Sequence, residues 1–298
     1  MVTTVLNGKT VSDAMLLSLA QTVRSLHLQT DRDPGLSVVL VGDNPASRVY
    51  VEAKKKACAK VGINSFDYRL APEEGEGALI DLISHLNSDP DVHGILVQLP
   101  LPKGFDEQKI IELINPAKDV DGFHPMNVGR VWQGLAGFKS CTPYGVFELL
   151  RYYDIPVEGK HVVIIGRSNI VGKPLASILV QRAAGANATV TICHSKSENL
   201  HQLTRSADIL VAAIGVPGFV TADMVRPGAV VIDVGINRVE DESAKSGYRV
   251  VGDVDFASVS AISGAITPVP GGVGPMTIAM LMKNTVESFE RDIAEVKE

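Results

Sequence analysis

Two α/β domains, each built on a mostly parallel sheet covered by helices and facing one another across a cleft, form the fold class that the sequence predicts. Three observations predict it. Apolar runs of strand length alternate with segments of helical periodicity along the whole chain. At 298 residues the chain exceeds one ordinary domain. The run His161–Gly166 passes straight into Gly166-Arg-Ser-Asn-Ile-Val-Gly172 and an apolar helix, the order of a phosphate-binding strand–turn–helix. That third observation makes the C-terminal domain Rossmann-type.

Composition narrows the partners. Hydrophobic residues at 45% and charged residues at 21% describe a globular chain with ample core, and no apolar run is long enough to span a bilayer. The N-terminal stretch lacks the charged-then-apolar pattern of a secretion signal. Cys58, Cys141 and Cys193 are odd in number and far apart, so they fit neither a disulfide framework nor a metal site. A reducing, cytoplasmic setting is expected. The net charge of -6 argues against nucleic acid and anionic membranes as partners, so an anionic ligand must be held by local Lys and Arg.

In chain order, residues near 12–29 form a helix with Ala14, Leu17, Ala20 and Leu28 among its apolar positions. A strand follows at Leu36–Val41, then a helix from Asn44 to Gly62. Asn44 suits the N-cap, Pro45 the first helical position and Gly62 the left-handed C′ position. Ala46, Val49, Tyr50, Ala53, Ala57 and Val61 share an apolar face, with Tyr50 and Lys54 paired one turn apart at its rim. A lysine placed so ordinarily snorkels, its stem on apolar surface and its ammonium in water. Lys55 points the opposite way, into solvent.

Strands near Asn64–Leu70 and Gly94–Leu99 and helices at about 76–87 and 107–114 complete the first domain. Ligands of such sheets bind beyond the carboxyl ends of the strands, where Gln98 stands. The loop Lys118–His124 is a second candidate for the same rim. Its Asp119 and Asp121 read equally well as turn or capping residues, and no further liganding residues make them a metal site. The boundary falls near Cys141–Tyr144, where Thr142-Pro143 opens a helix to about Tyr153.

The glycine turn at Gly166 departs from the G-x-G-x-x-G spacing, because Arg167 and Ser168 stand where the second glycine would begin, so a purely structural turn is the competing reading. The next strand, Ala188–Cys193, ends in His194-Ser195-Lys196-Ser197. An NAD site usually carries Asp or Glu there; hydroxyls and cations, with Arg167 in reach, suit the 2′-phosphate of NADP. Strands Ile209–Gly215 and Val230–Asn237 each put glycine at the carboxyl edge, where a ribose or nicotinamide can lie against backbone. Last, Thr267-Pro-Val-Pro-Gly-Gly-Val-Gly-Pro-Met276 is a stiff ribbon poor in side chains, suited to a flat ligand, and an apolar helix follows it.

The blocks Tyr50-Val-Glu-Ala-Lys54, Gly94-Ile-Leu-Val-Gln-Leu-Pro-Leu-Pro102, Lys118-Asp-Val-Asp-Gly-Phe-His-Pro125, Gly166–Gly172, Cys193–Lys196 and Pro268–Met276, in this order, give the chain its resemblance to a known family. It resembles the bifunctional methylenetetrahydrofolate dehydrogenase / methenyltetrahydrofolate cyclohydrolases over essentially its whole length. That resemblance implies NADP-dependent oxidation of 5,10-methylenetetrahydrofolate and hydrolysis of the product to 10-formyltetrahydrofolate, in one-carbon metabolism and purine biosynthesis. It implies a folate-binding catalytic domain over 1–142, an NADP domain over 143–275, and a C-terminal helix, about 276–298, packed back on the first.

By the same resemblance, Lys54 is catalytic and Tyr50 positions it and the folate. Gln98 and Leu99 lie beside them, and Asp121 grips the pterin. Pro270, Gly271, Gly272 and Gly274 line the folate. Gly166, Arg167, Ser168, Ile170 and Val171 hold NADP together with His194, Ser195, Gly215, Gly235, Ile236 and Thr277; Arg167 and Ser195 lie near the 2′-phosphate and Ile236 near the nicotinamide. The family implies no metal, tetrahydrofolates (polyglutamylated or not) as substrates, and a homodimer. Ser140 and Lys173 depart from common family residues, Pro and Arg, without touching a catalytic role. Competing readings are a monofunctional or NAD-preferring dehydrogenase, a shikimate-type dehydrogenase, and a non-catalytic NADP-binding protein.

Overall fold

The computed structural model describes residues 2–243 and 247–296. In chain order its elements are β1 (Thr4–Val5), α1 (Gly8–Thr30), β2 (Gly35–Val41), α2 (Pro45–Val61), β3 (Asn64–Leu70), α3 (Gly75–Ser88), β4 (Gly94–Val97), α4 (Glu107–Leu113), α5 (Pro125–Trp132) and α6 (Cys141–Tyr152). Then come β5 (His161–Ile165), α7 (Gly172–Leu179), β6 (Thr189–Cys193), α8 (Leu200–Arg205), β7 (Ile209–Ala212), β8 (Val230–Asp233), β9 (Asn237–Glu240), β10 (Tyr248–Val251), α9 (Phe256–Ser260), β11 (Ala265–Ile266) and α10 (Val273–Val296). The chain forms two compact units. The first comprises Asp13–Cys141 with Ile278–Glu298, the second Met1–Ser12 with Thr142–Thr277.

The first unit carries a three-stranded parallel sheet in the order β3-β2-β4. Every residue of the central strand β2 is buried, as helix-covered parallel sheets require. After β2 the chain crosses through α2 to β3 on one side, then through α3 to β4 on the other. The order therefore reverses at the carboxyl ends of β2 and β4, the position where open α/β sheets receive ligands. Gln98 directly follows β4, its amide donating to the Val39 carbonyl at 2.9 Å.

The second unit holds a six-stranded sheet in the order β1-β11-β8-β7-β5-β6, parallel throughout. Here β5 is followed by β6 on one side and β7 on the other, so a second reversal lies at the carboxyl ends of β5 and β7. Gly166 begins there. The antiparallel hairpin β9–β10 stands apart from this sheet.

Several elements differ from the sequence expectation. Residues 1–12 belong to the second unit, not the first, because β1 pairs parallel with β11 at its edge. In α1 the expected apolar positions Leu17 and Leu28 are exposed, and Val11, Leu16 and Val23 are buried instead. In α2, Val49 is 61% and Tyr50 39% exposed, while Ser47, Val51, Lys54, Cys58 and Val61 form the buried face. The expectation for Ala46 falls on a side chain outside those described. A stripe spaced four, three, four and three has Lys54 at its centre, so ranking positions by apolarity rotates the helix away from it. Gly62 does end α2 at φ +89°, as its position predicts. Finally, α10 begins at Val273, so Gly274 and Pro275 are its first turn; Pro fits there because that N–H has no intrahelical acceptor. The elements α5, α8, α9 and the β9–β10 hairpin are additional to those expected.

Candidate active site

In the first unit, α2 aims Lys54 inward at 9% exposure. Its Nζ donates to Gln98 Oε1 at 2.9 Å, and Gln98 Nε2 donates onward to the Leu99 carbonyl at 2.7 Å, which fixes the orientation of the amide. Burial pushes the Lys54 amine below its ordinary range, with the Asp121 charge as the largest opposing influence. Burial in turn raises the Asp121 carboxyl, against the attraction of Lys54 and the hydrogen bond of the Cys141 thiol. Cys141 also donates to the Val120 carbonyl at 3.4 Å. A buried amine, a carboxylate and a neutral amide thus converge beside the Cys141 thiol. Burial lowers the cost of the uncharged amine in such a cluster, which suits it to proton transfer.

The two acids of the 118–124 loop separate here. Asp119 turns inward and accepts the amides of Phe123 at 3.2 Å and His124 at 2.9 Å, and Asn127 Nδ2 at 2.9 Å. It is the loop's anchor, and burial lifts its carboxyl to about 6 despite those bonds. Asp121, two residues on, faces Lys54 instead. No group able to hold a metal ion occurs among the described residues.

In the second unit, the turn after β5 is tight. Gly166 has φ +126°, and an added Cβ would stand 2.2 Å from the Ala213 carbonyl oxygen; at Gly172 it would stand 2.1 Å from that of Gly166. The turn therefore needs both glycines for its own backbone, and it delivers α7 with its N-terminus at the strand end. Ser168 Oγ accepts from the Val171 amide at 3.1 Å, which shapes the turn, while Lys173 is engaged by Asn169 Oδ1 at 2.7 Å. Arg167 and Ile170 are exposed.

Pairing of Ile165 with Cys193 puts the turn after β6 beside it. There the His194 amide donates to Ser197 Oγ at 2.9 Å, and the Lys196 amide to His194 Nδ1 at 3.1 Å, leaving Ser195 and Lys196 exposed. Farther along, Gly215 follows β7 at φ +69° and Ile236 follows β8 at 49% exposure. In the same unit the Lys9 amide donates to the Gly271 carbonyl at 3.1 Å, and Thr277 Oγ1 meets Thr142 Oγ1 at 2.9 Å.

Two family models match the chain: the tetrahydrofolate dehydrogenase/cyclohydrolase catalytic domain over residues 6–121, and the NAD(P)-binding domain of the same family over 140–293. The chain belongs to the tetrahydrofolate dehydrogenase/cyclohydrolase family. Among its relatives is the bifunctional protein FolD of Chlorobium chlorochromatii, 56% identical over 289 residues, 96% of this chain and 98% of the relative. The crystal structure of the bifunctional FolD methylenetetrahydrofolate dehydrogenase/cyclohydrolase from Campylobacter jejuni is 49% identical at TM-score 0.91, covering 97% of this chain and 99% of that one. The Trypanosoma brucei FolD, solved with NADP and an inhibitor, is 39% identical at TM-score 0.92 and covers 98% of each chain.

Within this tetrahydrofolate dehydrogenase/cyclohydrolase chain, the structure brings Lys54, Gln98 and Asp121 together, with Leu99 in the same hydrogen-bonded run. Tyr50 lies one turn before Lys54 at the exposed edge of α2. Three residues escaped the sequence reading: Asp233 and Asp253, which organise the ends of β7 and β8, and Asn284 on α10. Asp233 did carry a signal, an acid closing an apolar strand with glycine two residues later. Asn284 carried none.

Proposed function

We propose that this protein oxidises 5,10-methylenetetrahydrofolate with NADP and hydrolyses the 5,10-methenyl product to 10-formyltetrahydrofolate. The observation that carries this reading is the buried Lys54 amine, lowered by burial and paired with the neutral Gln98. Methenyl hydrolysis needs a group that takes and returns a proton near neutral pH. Lys54 accepts a proton from water as the water oxygen bonds to the methenyl carbon. It returns that proton to N5 as the C–N5 bond breaks, and the remaining hydroxyl proton leaves to solvent. Gln98 Oε1 accepts an N–H from the amine in either protonation state, so the nitrogen stays in place throughout. The cationic substrate lowers the amine further. Asp121 accepts two N–H groups from the pterin edge, a bidentate match, and Tyr50 and Leu99 flank the ring. The family resemblance assigns Pro270, Gly271, Gly272 and Gly274 to the folate as well.

The residues of the second unit fit NADP. Arg167, Ser195 and Lys196 present cations and a hydroxyl with no acid at the end of β6, which suits a 2′-phosphate, and the N-terminus of α7 suits the pyrophosphate. Gly166, Ser168, Ile170, Val171, His194, Gly215, Gly235, Ile236 and Thr277 complete the proposed contacts. When bound, the nicotinamide supplies the hydride acceptor. Three buried free thiols support a cytoplasmic setting, and the family supports a homodimer, which sedimentation would test.

The test is an NADPH absorbance assay with methylenetetrahydrofolate, followed by decay of the methenyl absorbance. Lys54→Gln is expected to abolish that decay while the fold and NADP binding survive. Near-normal methenyl hydrolysis by this variant would overturn the assignment.

A further inference from the structure

The rim at the ends of β7 and β8 hangs on two stacked carboxylates. Asp253, fully buried, accepts three successive backbone amides: Ile214 at 2.7 Å and Gly215 at 3.0 Å on Oδ2, and Val216 at 2.9 Å on Oδ1. Asn237 Nδ2 adds a fourth bond at 2.9 Å. Beneath it lies Asp233, also buried. Asp233 accepts the amides of Asp253 at 2.9 Å, Val254 at 2.9 Å and Gly235 at 3.0 Å, and its own amide donates to Thr267 Oγ1 at 2.7 Å. The backbone is fitted to both acids. An added Cβ at Gly235 would stand 2.2 Å from Asp253 Oδ1, and one at Gly252 would stand 1.8 Å from Asp233 Oδ2.

Three converging amides at a strand end make an anion-binding nest, the feature that elsewhere cradles phosphate. Here Asp253 fills it from inside the protein. Two buried acids held by backbone and amide N–H groups are a costly way to hold a loop, since apolar packing would serve. The residues they hold explain the choice. Gly215, Gly235 and Ile236 are the three rim positions proposed above for NADP, and Ile236 stands exposed between the Gly235 amide bonded to Asp233 and the Asn237 side chain bonded to Asp253.

We propose that Asp253, seated on Asp233, is the positioning residue of the dinucleotide rim: it holds the ends of β7 and β8 in the shape that receives the nicotinamide and its ribose. By filling the nest it also closes that nest to phosphate, so the pyrophosphate is left to the Gly166 turn. This rests on the NADP reading given above. Asp253 itself touches no ligand and acts through Ile214–Val216 and Asn237.

Asp253→Asn keeps the shape but turns an NH2 toward converging N–H donors whichever way the amide is flipped. Titration calorimetry of the purified protein with NADP is expected to show a dissociation constant roughly 10-fold or more weaker, as for the loss of charge-assisted bonds. The KM for NADP should rise more than kcat falls, and methenyl hydrolysis, read without NADP, should stay at the wild-type rate. A merely structural acid would lower both activities and the melting temperature together. Asn237→Ala, which removes one donor, is measured in parallel and is expected to weaken NADP by a smaller factor with hydrolysis intact; it decides alone if Asp253→Asn does not fold. Unchanged NADP affinity in the folded variants, or parallel loss of both activities, overturns the proposal. Failure of the wild-type protein to bind NADP would instead overturn the function on which it rests.

Discussion

Lys54 carries its amine 2.9 Å from the Gln98 oxygen, and a neutral acceptor leaves burial free to favour the uncharged amine. A carboxylate at the same place would reverse that balance, because an opposite charge at hydrogen-bonding distance favours the ammonium. Gln98→Glu is therefore expected to raise the Lys54 pKa and to shift the rising limb of the hydrolysis pH profile upward. An unmoved limb would separate Lys54 from the proton transfer. At this scale the sequence was informative where topology points a side chain. Gln98 ends a strand at the order reversal, and Lys54 stands on the helix that leaves the neighbouring strand. It was silent where one bond decides a role. Asp119 and Asp121 are two residues apart, yet one caps its own loop and the other faces an amine. The Asp233–Asp253 pair joins residues twenty positions apart through backbone amides that leave no mark on side-chain patterning.

Among the elements, α10 secures the loop that carries Asp121. Buried Asn284 donates to the Val120 carbonyl at 2.8 Å and the Lys139 carbonyl at 3.0 Å, and it also approaches the Cys141 sulfur. Asn284→Leu leaves one buried and one half-buried carbonyl without that donor. The expected cost is about 1–3 kcal/mol in denaturant unfolding of the first unit, with a raised KM for folate as Asp121 loosens. Wild-type stability and KM together would refute the tether. A C-terminal apolar helix was evident in the sequence; its polar anchor was not, because a lone Asn on an apolar face resembles a surface interruption. The hairpin β9–β10 was missed for a related reason. Its strands are only four residues each, Asn-Arg-Val-Glu and Tyr-Arg-Val-Val, and are held partly by Arg238 over the Tyr248 ring at 4.6 Å, so no apolar alternation marks them.

Across the whole molecule, the two units respond unequally to acid. In the second, burial lifts Asp233 to about 6, above the usual carboxylate value, so the folded form takes up a proton before the unfolded form does. Stability of that unit should rise by about 1.3 kcal/mol as pH falls from 7 to 5, and reaches the full gain of about 3 kcal/mol only below the unfolded value near 3.8. In the first unit Asp119, also at about 6, contributes a gain of the same sign. His93 opposes it there, since burial depresses its imidazole to about 4 and the unfolded chain protonates first, near 6.5. Amide exchange protection, corrected for intrinsic rates, is expected to strengthen in β7 on going from pH 7 to 5 and to stay nearly level in β2. A fall in β7 protection would contradict the Asp233 assignment. The two mostly parallel sheets were legible from the alternation of apolar runs, but their strand orders were not. The placement of residues 1–12 was not, because a two-residue strand gives no period.

The edge strand β1 has a consequence for the order in which the chain is made. Its partner Ala265–Ile266 leaves the ribosome some two hundred and sixty residues later, and the tether Asn284 follows later still. Domains generally fold as they emerge. Here the second unit's sheet lacks its edge, and the first unit its tether, until Ala265 and then Asn284 have emerged. Each unit is closed by a segment remote from it in sequence, so a ribosome that stalls before Ala265 releases neither in finished form.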